Sequence, residues 1–129
     1  MKNNAAPSSV LYACLTLALT ILITFVVNLI DLQSGALRQP DFALNLFFYP
    51  PMCVILYFIY QGKAWARNVY AGASLLGAAL LVFSGLKQTE MELVAGFLII
   101  PMELVALYVL FQRSNAAWFK ARGIARQPK

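Results

Sequence analysis

Histidine is absent from this chain, and charge of either sign is scarce: ten Lys and Arg and five Asp and Glu in 129 residues. Without histidine, the commonest general base and the commonest metal ligand are both missing. The two cysteines, Cys14 and Cys53, fall inside apolar segments. They read as small buried apolar side chains, and two thiols without an imidazole make no credible zinc site. No metal and no cofactor is expected. There is no glycine-rich phosphate loop, no Ser/His/Asp set, no HExxH helix and no carboxylate pair placed for acid–base work. The sequence therefore predicts that the chain is not an enzyme.

Apolar surface is what the sequence has in excess. Hydrophobic residues make up 61% of it and the mean hydropathy is +0.72. A soluble domain of this size could not hide that much, so lipid is the natural solvent. A membrane helix needs about 20 apolar residues to cross roughly 30 Å of hydrocarbon. The pattern predicts an all-α membrane protein, a four-transmembrane-helix bundle filling 1–129 as one integral domain. Its helices fall at 10–30, 42–60, 69–86 and 91–111, joined by polar turns at 31–41, 61–68 and 87–90, with a basic tail over 112–129. The first run is about twice the length of a signal-peptide core and lacks a small-residue cleavage site, so it reads as a retained first helix. Pro7 blocks its extension upstream, and Ser8 and Ser9 can cap its start.

Basic residues are unevenly divided. Lys2, Lys63, Arg67, Arg113, Lys120, Arg122, Arg126 and Lys129 fall on one side of such a bundle. Arg38 and Lys87 fall on the other, among Asp31, Asp41, Glu90 and Glu92. The positive-inside rule then places both termini in the cytoplasm. With the basic residues at loops and tail, and no folded basic domain, nucleic-acid binding is not expected. Trp65 and Trp118 fall at the same interface, beside Arg67 and Lys120, as anchors to the headgroup layer. The tail from Ser114 to Arg126 fits a short basic amphipathic helix lying on the inner leaflet.

The third helix is rich in small residues. Ala73 and Gly77 share one face, and Ser74 and Ala78 repeat the spacing beside them. Small faces allow close backbone approach where no hydrophobic effect drives helices together. This predicts helix 3 at the centre of the bundle, or else a dimer face.

Two segments resemble each other: PMCVILYFIYQ at 51–61 and PMELVALYVLFQ at 101–112. If this is a repeat, each half is a helical hairpin and the halves are parallel repeats. Pro50 and Pro51 interrupt helix 2, and Pro101 interrupts helix 4 at similar depth. Each lacks an N–H and releases the carbonyl four residues earlier, so these kinks are expected to face protein or water rather than acyl chains. They either shape the bundle or mark a binding site.

Glu103 lies about 3 Å from the centre of helix 4 at 1.5 Å per residue. An acid at that depth costs at least ~2.5 kcal/mol on insertion scales. No Lys or Arg falls at its depth. It could stay protonated and donate a hydrogen bond, since desolvation disfavours the charge, or it could line a wet cleft. Asn28, Asn45, Thr20, Thr24, Ser74 and Tyr57 are its candidate partners from other helices, with Asn28 and Asn45 nearer the outer face. The first arrangement is a structural clamp. The second is a proton or cation site.

The loop Gly62-Lys63-Ala64-Trp65-Ala66-Arg67 and the tail ending Trp118-Phe119-Lys120 resemble segments of small bacterial four-helix inner-membrane proteins of uncharacterised function. In that group a Gly-basic-x-Trp-Ala-Arg loop follows helix 2 and a Trp-aromatic-basic tail follows helix 4. The resemblance implies the architecture and a bacterial inner membrane, and it implies no activity. Small four-helix exporters are a second comparison. They carry an essential Glu in their first helix, whereas here the first helix has no acid and the candidate is in the fourth. Two functions are therefore expected from the residues. One is a non-enzymatic protein working through helix–helix contacts, either an accessory or regulatory subunit or an immunity-type protein against a membrane-active toxin. Its partners would be the lipid bilayer and a membrane protein or a second copy of itself. The alternative is a dimeric, proton-coupled small-molecule transporter using Glu103.

Overall fold

The structure is a computed structural model that describes residues 6–83 and 90–125, with the backbone alone for 80–83. Five helices follow in order: α1 Ser8–Ser34, α2 Gln39–Tyr60, α3 Ala64–Phe83, α4 Glu90–Phe111 and α5 Arg113–Ile124. No strand occurs among the described residues. Three of the helices, α1, α2 and α4, are long and apolar enough to cross a membrane. The expected turn at 87–90 and the end of the expected third helix fall largely outside the described residues.

Each boundary has a local cause. α1 begins after Pro7, which is extended (φ −54°, ψ 144°) and makes no side-chain cap. Ser8 and Ser9, expected as caps, are already inside the helix, and the Ser9 hydroxyl is used elsewhere. α1 ends at Gly35 in the left-handed region (φ 78°). Beyond it the Leu37 N–H returns to the Asp31 carbonyl at 2.9 Å. α2 starts behind extended Arg38, with Pro40 in the first turn and Asp41 complementing the helix dipole.

The turn between α2 and α3 is shorter than the expected 61–68 loop. The Gly62 N–H bonds the Ile59 carbonyl at 2.9 Å, and the Lys63 N–H bonds that of Phe58 at 3.0 Å. Gly62 takes a left-handed φ of 82°, the helix-ending pattern that favours glycine. Helix then resumes at Ala64. Polarity at 64–68 reflects the membrane interface and not a loss of helix, because Ala, Trp, Arg and Asn continue one comfortably outside lipid.

The prolines are a second correction. α2 runs through Pro50 and Pro51, and α4 runs through Pro101, without interruption. All three are exposed, and so are the residues whose carbonyls they release: Leu46 at 45%, Phe47 at 72% and Phe97 at 84%. They face outward from the bundle and not into it.

The core is lopsided. Its apolar residues are Val10, Ala13 and Leu17 of α1, Leu56 and Ile59 of α2, Ala66 and Tyr70 of α3, Ala106 and Leu110 of α4, and Phe119 of α5, with Cys14. These come from the start of α1, the end of α2, the start of α3 and the end of α4. Among the described residues, the apolar core therefore gathers at one end of the bundle.

α1 is the central helix, in close contact with α4 along its length and with α2. The expectation that the small-residue helix is central is overturned. Among the described residues the α3 backbone runs nearest α2, and α3 reaches α4 through the Tyr70 and Arg67 side chains. Ala73 and Ser74 are half-buried, but Gly77 and Ala78 are exposed, and a Cβ at Gly77 would meet nothing within 4 Å. Small residues permit close approach without supplying the attraction that α1 and α4 gain from larger side chains. Among the described residues, α1 and α2 pack together more than α3 and α4 do.

α5 also differs from a helix resting on the leaflet. Asn115 and Phe119 are buried, and Trp118 lies over Gly62. A Cβ at Gly62 would fall 2.9 Å from Trp118 Cη2. Gly62→Ala is expected to destabilise the fold by roughly 1–2 kcal/mol from the left-handed backbone alone, plus the clash. Trp118→Leu in the same chain should recover only the clash component. Thermal unfolding in detergent micelles checks both.

Candidate functional site

Polar side chains inside an apolar bundle must satisfy each other, because no water is there to do so. Three such clusters tie the helices together. The deepest is built around Glu103. α4 spans 22 residues from Glu90, which sets Glu103 about 4 Å past its midpoint at 1.5 Å per residue. Its side chain forms hydrogen bonds with Thr20 of α1 and Tyr70 of α3. Tyr70 also engages Thr20 and Ser74. Thr20 is 1% exposed and Tyr70 2%, while Glu103 and Ser74 are half-buried. Leu17, Ala66 and Ala106, three or four residues from Thr20, Tyr70 and Glu103 on their own helices, belong to the apolar core.

Protons are shared within the cluster. Thr20 has one hydroxyl proton, and it donates to the Leu17 carbonyl at 2.8 Å. The Thr20 oxygen also lies within hydrogen-bonding reach of Glu103, so the one hydroxyl proton is divided between the Leu17 carbonyl and the carboxyl. Tyr70 brings a second hydroxyl proton to share between Glu103 and its other neighbours. One carboxyl thus links three helices.

The second cluster joins α1 to α2. Asn28, 4% exposed, donates from Nδ2 to the Tyr49 Oη at 2.6 Å. The Tyr49 ring stands edge-on to Phe25 at 5.6 Å. Asn45 is half-buried one helical turn before Tyr49, at the same level. The third cluster lies at the packed end. Ser9 Oγ donates to Asn115 Oδ1 at 2.8 Å, and Asn115 Nδ2 donates to the Val109 carbonyl at 2.7 Å. Arg67 Nη1 donates to the Leu110 carbonyl at 3.1 Å. Its guanidinium lies over Phe111 at 4.2 Å and Phe119 at 4.9 Å. Arg67 thereby takes up the Leu110 carbonyl at the end of α4, and Asn115 adds a second bond to the Val109 carbonyl, which also accepts from the Gln112 N–H at 3.3 Å.

The structure brings some of the expected residues to Glu103 and not others. Thr20 and Ser74 join its cluster. Asn28 instead bonds Tyr49, and the Thr24 hydroxyl donates to the Thr20 carbonyl at 2.9 Å. Tyr57 is 59% exposed on α2 and takes no part. Of the residues expected at the interface, Trp65 and Lys120 are exposed, whereas Arg67 and Trp118 are drawn inward. Sequence reasoning missed Tyr70, Tyr49 and Asn115. The spacing of Tyr70 and Ser74, four residues apart on one helical face, was the available signal for the first.

Two shallow apolar grooves lie between helices. One, of about 500 Å³, lies between α1 and α4 at Val27, Met91 and Leu98. The other, of about 420 Å³, lies between α1 and α2 at Phe25, Pro50 and Cys53. No group of three His, Cys, Asp or Glu that could hold a metal occurs among the described residues. No protein-family model matches the chain, and no curated protein or solved structure matches it significantly.

Thr20→Val keeps the shape of the side chain and removes its hydroxyl. It is expected to lower stability by about 1 kcal/mol, the scale of interhelical hydrogen bonds in bilayers. Thr16→Val on the exposed side of α1 should have no such effect, because the Thr16 hydroxyl bonds only the Tyr12 carbonyl of its own helix. Unfolding of the two variants by SDS titration in bicelles provides the comparison.

Proposed function

We propose that this chain is a non-enzymatic membrane protein that acts by laying its helices against those of another membrane protein, as an accessory or regulatory subunit or as an immunity-type protein. The observation that carries this reading is the position of Glu103, whose hydrogen bonds run inward to Thr20 and Tyr70. The acid nearest the middle of a span is thereby spent on holding α1, α3 and α4 together. The surfaces left to the outside are apolar. They include Phe47 and Phe97, beside carbonyls released by Pro51 and Pro101. A carbonyl without a donor is costly in lipid, and a partner helix carrying a hydroxyl or amide supplies one. In this reading α3 completes four crossings and both termini lie in the cytoplasm. That orientation is supported by the bias of Lys and Arg to one side, and the bacterial inner membrane is supported by the resemblance of the two Trp-containing segments.

A second reading, a proton-coupled transporter, draws on one observation. Gly77 lies on the same face of α3 as Tyr70 but is open, so the bundle loosens beyond Ser74. Glu103→Gln separates the readings. The amide keeps a donor and an acceptor in place, so a contact protein should retain its partner, whereas proton-coupled transport should be abolished. Native mass spectrometry of tagged protein, extracted gently from its host membrane, is expected to show a stoichiometric foreign partner, retained by Glu103→Gln. A homodimer alone, with proton flux lost in that variant, would overturn the contact reading.

A further inference from the structure

We infer that the groove between α1 and α2 seats a membrane-spanning helix of the partner protein, and that a hydroxyl or side-chain amide on that helix bonds the Leu46 carbonyl. The site rests on the contact reading of the protein and names the face and the chemistry by which contact is made. The groove, about 420 Å³ in volume, is lined from Ala18 to Phe25 on α1 and from Leu46 to Cys53 on α2. On each helix the lining positions fall at i, i+3, i+4 and i+7, which is a single face. Each wall is about 10 Å long at 1.5 Å per residue. Two such walls accept a third helix laid along them.

Leu46 and Pro50 both belong to the α2 wall. A helical carbonyl points along the axis toward the residue four places on, so that of Leu46 points at Pro50, within the wall. Pro50 has no N–H to return. Pro51 has none either, which removes the donor five places on as well. The Tyr49 N–H, three places on, belongs in the helical pattern to the Asn45 carbonyl. The Phe47 carbonyl, released by Pro51, is on a residue outside the groove lining.

The occupant must therefore fit an apolar groove and carry a donor. An acyl chain fills such a groove but brings no donor, and an unmet carbonyl is costly in lipid. A helix with Ser, Thr, Asn or Gln at that depth brings one, with its own backbone already satisfied. The shape agrees. Phe25 stands edge-on to Tyr49 at 5.6 Å toward one end of the groove. At the other end Ala18 and Cys53 are small and exposed, so a second backbone can come close.

The test uses the full-length protein in phosphatidylcholine vesicles with two synthetic membrane-spanning Leu/Ala helices. One carries a single central Thr and the other Val in its place. Each bears a dansyl group at one end, and energy transfer from Trp65 and Trp118 reports association. The Thr helix should associate about fivefold more tightly than the Val helix, the scale of one interhelical hydrogen bond in a bilayer. Pro50→Ala returns an N–H to the Leu46 carbonyl and should abolish that difference while leaving the Val helix unaffected. Pro51→Ala serves Phe47 instead and should keep the difference. Ala18→Phe fills the groove and should weaken both helices. Equal association of the two helices, no association of either, or a Thr preference that survives Pro50→Ala would overturn the seat. A phospholipid or a second copy held by the unchanged protein and released by Ala18→Phe, seen by native mass spectrometry, would assign the groove to that occupant and overturn it as well. A foreign partner retained by Ala18→Phe would overturn the seat and leave the contact reading standing, whereas no foreign partner on the unchanged protein would tell against the contact reading itself.

Discussion

A carboxyl near the middle of a membrane helix must find hydrogen bonds inside the protein or water beside it, and here it finds hydrogen bonds. Glu103 reaches Thr20 and Tyr70, and through Tyr70 it reaches Ser74. The rest of the bundle is arranged around that requirement. Lipid supplies no hydrophobic driving force between helices, so polar contacts and close packing decide which helices stay together. α3 shows the consequence. Its first half is fastened by Tyr70 and Arg67, and a turn beyond Ser74 the same face is open at Gly77.

The same requirement explains the packed end. α4 breaks at Gln112, which is extended (φ −54°, ψ 145°), and its last carbonyls draw side-chain donors there. Asn115 takes that of Val109 and Arg67 that of Leu110. Ser9 then ties the start of α1 to Asn115. Two segments more than a hundred residues apart in sequence close one end of the bundle, while Gly62 lets α5 approach. The buried apolar residues gather below the Glu103 cluster for this reason. Polar ties hold the helices near enough there for side chains to interlock, while toward the other end the described residues include the Asn28–Tyr49 link and buried Asp31.

Much of the helical layout was legible in the sequence, because runs of apolar residues in a chain with so few charges admit little else. Ser8 to Ser34, Gln39 to Tyr60 and Glu90 to Phe111 follow the hydrophobic runs closely. The start of α3 was not legible, since Ala64 to Asn68 are polar enough to read as loop yet helical enough to continue a helix into the interface. The proline faces were misread for a different reason. Releasing a carbonyl creates a need for a donor, but the sequence does not say whether that donor belongs to the same chain. Glu103 was visible as an anomaly of charge and depth. Its partners were only partly visible, because hydroxyls are common in membrane helices and spacing fixes a face without fixing the neighbour. Tyr70 was hidden among aromatics that mostly point outward, such as Tyr57 and Tyr108.

The central claim is that the Glu103 cluster is a dry clamp and not part of a wet passage. Ser74→Cys tests it with the least disturbance, since the thiol is near in size to the hydroxyl and Glu103 stays intact. With Cys14 and Cys53 replaced by Ala, the reconstituted full-length protein would be treated with a hydrophilic, membrane-impermeant thiol reagent. A dry clamp leaves Cys at position 74 unlabelled while Arg113→Cys in the same background reacts fully. Labelling of position 74 at a rate comparable to position 113 would contradict the account and place water beside Glu103.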